Sequence, residues 1–205
     1  MKKTTSFALP LALVLAACSG QKTATAQKAP AEETAPAVFR VNFETSKGPF
    51  VVEVTREQAP NGADRFYNLV KAKYFDGARY YRVVPGFMVQ WGAAADPAVS
   101  AAWDVRIPDD PIKATNERGT ISFAATSAPN SRSTHMFINY GENSRLDAMG
   151  FAPIGKVVSG MDIVDQLYSG DGERPDQMRI KEEGNKYLER EFPNLDYIKT
   201  ARIAQ

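Results

Sequence analysis

From Val38 onward, apolar and polar residues alternate: Phe39, Val41 and Phe43 interleave with Arg40, Asn42 and Glu44. Period two puts one face inward and predicts a half-buried strand. Ser46-Lys47-Gly48 supplies a turn and residues 50–54 a second strand, so the pair reads as a hairpin. The period then changes. Pro60 opens a helical pattern with Ala63, Phe66, Leu69 and Val70 on one face, and Tyr74-Phe75-Asp76-Gly77 reads as its exit. Short strand-like segments follow at 79–84, 87–90, 119–124, 136–139 and 154–158, separated by loops rich in Pro, Asp, Ser and Ala. A second short helix fits 161–168. Residues 170–192 are polar and helical over 179–191, a solvated helix or a docking surface for envelope partners, before a closing strand at 197–203. Many short strands with two helices predict a mainly β chain in a closed or nearly closed antiparallel barrel, which leaves few exposed edges.

Before Val38 the pattern is different. Lys2 and Lys3 precede an apolar run over residues 7–17 that ends Leu15-Ala16-Ala17-Cys18. The run has the length of a signal-peptide core and is too short for a membrane span of about 20 residues. This order resembles a bacterial lipoprotein signal, which implies cleavage before Cys18 and a lipid carried by that residue. By the same resemblance Ser19, in place of Asp, implies sorting to the outer membrane of a Gram-negative cell, facing the periplasm. Residues 19–37 hold no aromatic and no branched aliphatic side chain, so they are expected to form a disordered tether with a coil reach of about 25 Å. The expected organisation is a leader at 1–17, an anchor and tether at 18–37, and one folded domain at 38–205.

Composition narrows the chemistry. The 205 residues carry 25 Lys+Arg against 24 Asp+Glu, a formal charge of +1. That balance gives no electrostatic reason to expect nucleic acid as a partner, and part of the positive charge belongs to the leader. One Cys and one His exclude an intrachain disulfide, a multi-Cys metal centre and a His-rich metal site. Assigning Cys18 to the anchor also removes it as a nucleophile.

The segment Tyr80-Tyr81-Arg82-Val83-Val84-Pro85-Gly86-Phe87-Met88-Val89-Gln90 resembles the signature of cyclophilin-type peptidyl-prolyl isomerases. Further blocks stand in that family's order: Gly119-Thr120-Ile121-Ser122-Phe123-Ala124, then Ala128-Pro129-Asn130-Ser131, Met136-Phe137-Ile138, Leu146-Asp147, and Gly155-Lys156-Val157-Val158-Ser159-Gly160-Met161. The resemblance covers about 38–169 and a last strand near 197–203. It implies a closed eight-stranded antiparallel barrel capped by two helices, with 170–192 as an extra helical insertion.

The resemblance also implies a catalytic role for Arg82 and a substrate groove lined by Phe87, Met88, Gln90, Ala124, Phe137 and Leu146. His135 stands where members usually carry Gln and is assigned to the same groove. The reaction explains these residue types. The barrier to peptide rotation, about 18–20 kcal/mol in general, comes from amide resonance. Twisting the X–Pro bond localises the lone pair on the prolyl nitrogen, so an N–H donor aimed there favours the twisted state over the planar one. Arg82 offers a rigid fork of donors, the apolar side chains offer a proline socket, and Gln90 offers a donor and an acceptor for the backbone. No bond breaks, so the chemistry calls for no cofactor and no metal. The expected partners are proline-containing polypeptides and, through the lipid, a membrane; the domain is expected to be a monomer. The alternative is a non-catalytic module of the same fold that holds proline segments as a chaperone or scaffold. Trp91, where members commonly carry Gly, is expected to fill space beside the groove or narrow it. Arg145 precedes Leu146 where drug-sensitive members carry Trp.

Overall fold

A computed structural model describes residue 1 and residues 32–204. The expected leader, Cys18 and most of the tether lie outside the described residues. The folded unit begins before Val38, however. The Glu33 and Ala35 N–H groups donate to the side chains of Asn68 and Asp64, and Glu32 and Glu33 pair with Arg65 and Lys71. With little apolar surface to bury, this stretch is held by hydrogen bonds and charge.

The hairpin forms as the alternation requires: β1 (Val38–Thr45) and β2 (Pro49–Thr55) pair antiparallel, with Val41 opposite Val52 and Phe43 opposite Phe50. The rings of Phe43 and Phe50 stack 4.6 Å apart inside the sheet. Helix α1 (Pro60–Lys71) begins on Pro60, whose missing N–H costs nothing at that position, and buries Ala63, Phe66, Leu69 and Val70. The remaining strands are β3 (Arg82–Val84), β4 (Met88–Trp91), β5 (Thr120–Phe123), β6 (Met136–Asn139), β7 (Pro153–Ser159) and β8 (Ile198–Ile203). They join in the order β3-β4-β6-β5-β7-β2-β1-β8, every pair antiparallel. Gly155 of β7 faces Val54 across that ladder, and a Cβ there would strike the Glu53 carbonyl.

The expected closed barrel is corrected to an open, curled sheet. Among the described residues, edge strands β3 and β8 share no ladder. β3 has only three residues, and its Val83 N–H donates to the Gly172 carbonyl of the insertion instead. The gap is spanned by the preceding segment: Gly77 donates to Ile198, Ile198 to Ala78 and Tyr80 to Asp196, all through backbone.

The helices are short and differ from expectation. The second expected helix is a single turn, α3 (Met161–Val164). A helix not read from the sequence, α2 (Pro97–Trp103), follows β4, its first turn capped by the Asp96 carboxylate accepting from Ala98 N–H. The expected helix at 179–191 is two pieces, α4 (Gln177–Glu183) and α5 (Asn185–Glu191). They break at Gly184, whose φ is +59° and where a Cβ would lie 2.7 Å from the Ala95 carbonyl. The insertion is not simply solvated. Ile180, Tyr187 and Leu188 bury against Tyr81, Ala93 and Leu195 in a second apolar cluster, while Arg179 pairs outward with Glu183 and Glu191.

Candidate active site

β3, β4 and β6 build the groove by register. Arg82 faces Gln90 across the β3–β4 pair, and Gln90 faces Phe137 across β4–β6. Directly opposed residues share a face of the sheet, so guanidinium, amide and phenyl ring form one row. Met88, two residues before Gln90, projects on the same face. The intervening turn brings Phe87 to the rim, where Gly86 takes φ +76°. Met88, Phe137 and Leu146 bury together, with half-buried Phe87, Ala124 and Phe151 around them. The cleft they enclose, about 210 Å³, is lined by Arg82, Phe87, Met88, Gln90, Ala124, Phe137 and Leu146, and also by Ala125, Phe151 and Gln177. Seven of the eight groove residues expected from the sequence are thus brought together.

Arg82 Nη1 donates to Gln90 Oε1 at 3.1 Å, and Nε donates to Glu173 Oε1 at 2.7 Å. The guanidinium side chain keeps 30% exposure, so N–H groups remain for a ligand. Accepting from Arg82 leaves the Gln90 amide N–H pair for a substrate carbonyl. The Arg145 guanidinium covers the Phe87 ring at 4.8 Å, and the Phe151 ring meets Phe137 edge to face at 5.7 Å.

Beneath the socket lies a polar network that sequence reasoning missed. Asn143 Nδ2 donates to the Phe87 carbonyl and to Asn139 Oδ1, both at 2.8 Å. Asn116 Nδ2 donates to Asp147 and to the Phe151 carbonyl, and Asn116 Oδ1 accepts from Ser122 and Asn139. Buried amides satisfied on all sides fix their loops, and here those loops carry Phe87, Leu146 and Phe151. The available signal was asparagine at otherwise apolar positions, such as Asn139 closing the Met-Phe-Ile strand. Glu173 and Gln177 gave none, because the insertion is remote in sequence.

His135 is placed apart from the other seven. It lines an adjacent cavity of about 110 Å³ with Pro97, Ser100, Asp104, Thr134 and Lys181. Its contribution to the groove is its backbone carbonyl, which accepts from Ala124 N–H at 2.8 Å. Tyr81 Oη lies 2.7 Å from His135 Nδ1. Burial pushes the Tyr81 hydroxyl up and the imidazole down, the latter against the pull of Asp104. Both groups are therefore neutral partners in this hydrogen bond.

That depressed imidazole has a consequence for stability. In the pH window just below the ordinary histidine value of about 6.5, the unfolded chain binds a proton that the native chain refuses, so stability falls with acidification there. We expect the melting temperature to be level above about pH 7 and to decline below about 6.5. His135→Gln removes that component of the decline, while kcat/KM stays level from about pH 6.5 to 8 in both proteins. Equal melting profiles, or a wild-type rate that titrates in this range, would contradict the assignment.

The family model for cyclophilin type peptidyl-prolyl cis-trans isomerases matches residues 40–185. A peptidyl-prolyl cis-trans isomerase of Acinetobacter baylyi is 34% identical over 132 residues, covering 62% of this chain and 70% of the relative. Peptidyl-prolyl cis-trans isomerase A of Dickeya dadantii is 34% identical over 128 residues, covering 60% and 67%. The fold is shared with a cyclophilin type isomerase from Cryptosporidium parvum, with a TM-score of 0.61 at 21% identity over 82% of this chain and 98% of that one.

Proposed function

Because this chain belongs to the cyclophilin-type peptidyl-prolyl cis-trans isomerases, we propose that it accelerates X–Pro rotation in exported polypeptides from a lipid-anchored position. The isomerase activity follows from the family and from relatives bearing that name. A Cryptosporidium parvum relative was solved in the presence of the dipeptide Ala-Pro, in keeping with a proline-containing ligand. One observation carries the division of labour: a partly exposed guanidinium stands beside an apolar socket in a single cross-strand row.

The proline ring enters among Phe87, Met88, Phe137 and Leu146, and the Gln90 amide grips the backbone on one side. The other side turns. As the amide twists, Arg82 donates to the prolyl nitrogen, whose lone pair is then available. The donor and its counter-groups are already in place, so little reorganisation accompanies the twist. A rate measurement on an X–Pro peptide with the full chain tests this. Acceleration over the uncatalysed tens to hundreds of seconds is expected, and none would favour the holding module instead.

The membrane assignment rests on the leader pattern and Cys18. We expect wild-type protein to sediment with outer membranes and Cys18→Ala to be released. A variant that still sediments would overturn the anchor.

A further inference from the structure

We propose that Glu173, supplied by the insertion, is a positioning residue for Arg82; this rests on the isomerase reading above. Glu173 lies 91 positions from Arg82 in sequence, yet its carboxylate accepts from Nε at 2.7 Å and pairs with Nη2. Gln90 takes Nη1 from the other side. The guanidinium is therefore clamped along two edges, and a clamped fork retains one presentation toward the groove where a free one samples several.

The loop bearing Glu173 is itself fixed. Gly172 accepts from Val83 of β3 through its backbone. Asp176 N–H donates to the Tyr187 hydroxyl at 3.0 Å, and the Asp176 carboxylate caps α4. Tyr187 is buried in the cluster that also holds Tyr81, the residue before Arg82. The insertion thus grips the Arg82 side chain and the backbone of the next residue, Val83. Glu173 remains 59% exposed, so the pair adds little to folding and salt reaches it.

The test measures kcat and KM on an uncharged X–Pro peptide for the full chain, Glu173→Ala, Glu173→Gln and Glu191→Gln. The last removes a carboxylate from the outer face of the insertion, where Glu191 pairs with Arg179. Glu173→Ala is expected to lower kcat about three- to fivefold with KM unchanged. Glu173→Gln, whose amide oxygen still accepts from Nε, falls between, and Glu191→Gln matches wild type. Raising salt from about 0.05 to 1 M shortens the screening length to about 3 Å and brings wild-type kcat toward that of Glu173→Ala, which itself stays level. Unchanged or higher kcat in Glu173→Ala overturns the proposal, as does an equal loss in Glu191→Gln. If Arg82→Ala is slow while Glu173→Ala is not, the isomerase reading stands and the clamp falls. An inactive wild type removes both.

Discussion

Arg82→Ala is expected to lower kcat/KM for an X–Pro peptide by about 100- to 1,000-fold, the loss typical of deleting one donor that acts on the transition state. The decrease should fall mainly on kcat. The socket of Met88, Phe137 and Leu146 remains buried and intact without the guanidinium, so the ground-state peptide still binds. Folding should survive. The ion pair with Glu173 is exposed and worth about 0–1 kcal/mol, and loss of the Gln90 hydrogen bond costs about 1 kcal/mol. Arg82→Lys keeps the charge but not the fork, and should recover part of the rate. Isomerisation rates, with thermal melts as the folding control, decide the matter. A variant as fast as wild type would remove Arg82 from the mechanism and leave the fold as a proline-holding module.

Trp91→Ala should produce the largest loss of stability, about 3–5 kcal/mol. The sequence left Trp91 beside or across the groove; the structure places it elsewhere. Along β4, Met88 and Gln90 face the groove, so Val89 and Trp91 face the interior. The indole is fully buried, edge-on to Phe43, Phe75 and Tyr80. Truncation to Ala opens a cavity the curled sheet cannot readily collapse. Trp91→Phe should behave quite differently. The indole Nε1 has no hydrogen-bond partner among the described residues, and a buried donor without one is itself costly. Phe removes that donor while keeping most of the ring, so the net change should be below about 1.5 kcal/mol. Urea unfolding of the three proteins checks the ordering. A loss under about 1 kcal/mol for Trp91→Ala would place the indole outside the core. KM of the folded fraction should not change, since Trp91 does not line the cleft.

The groove was legible to the extent that it is local. Arg82 and Gln90 lie on two strands joined by a tight turn, and that register places them opposite each other. Phe137, placed in the groove by the resemblance alone, joins them because β6 pairs with β4. His135 shows the limit. It lies just ahead of β6 and is assigned to the groove because it stands where the resemblance puts a Gln, yet side-chain packing assigns its ring to the cavity beside α2 and α4. The sequence also read α2 as a loop, because seven residues, barely two turns, are too short to show a helical period.

What the sequence by itself determined is the set of features that repeat or sit close along the chain. These are the alternation that builds the hairpin, the short apolar runs of the central strands, the amphipathic α1, and the Arg82-to-Gln90 block with its socket residues. Hydrophobic burial imposes a period, and a period is readable. Only the tertiary structure decided the open edge between β3 and β8, the asparagine network under the socket, the interior position of Trp91 and the closure of Glu173 on Arg82. Each depends on directional hydrogen bonds or packing between segments far apart in sequence, and such contacts leave no period along the chain.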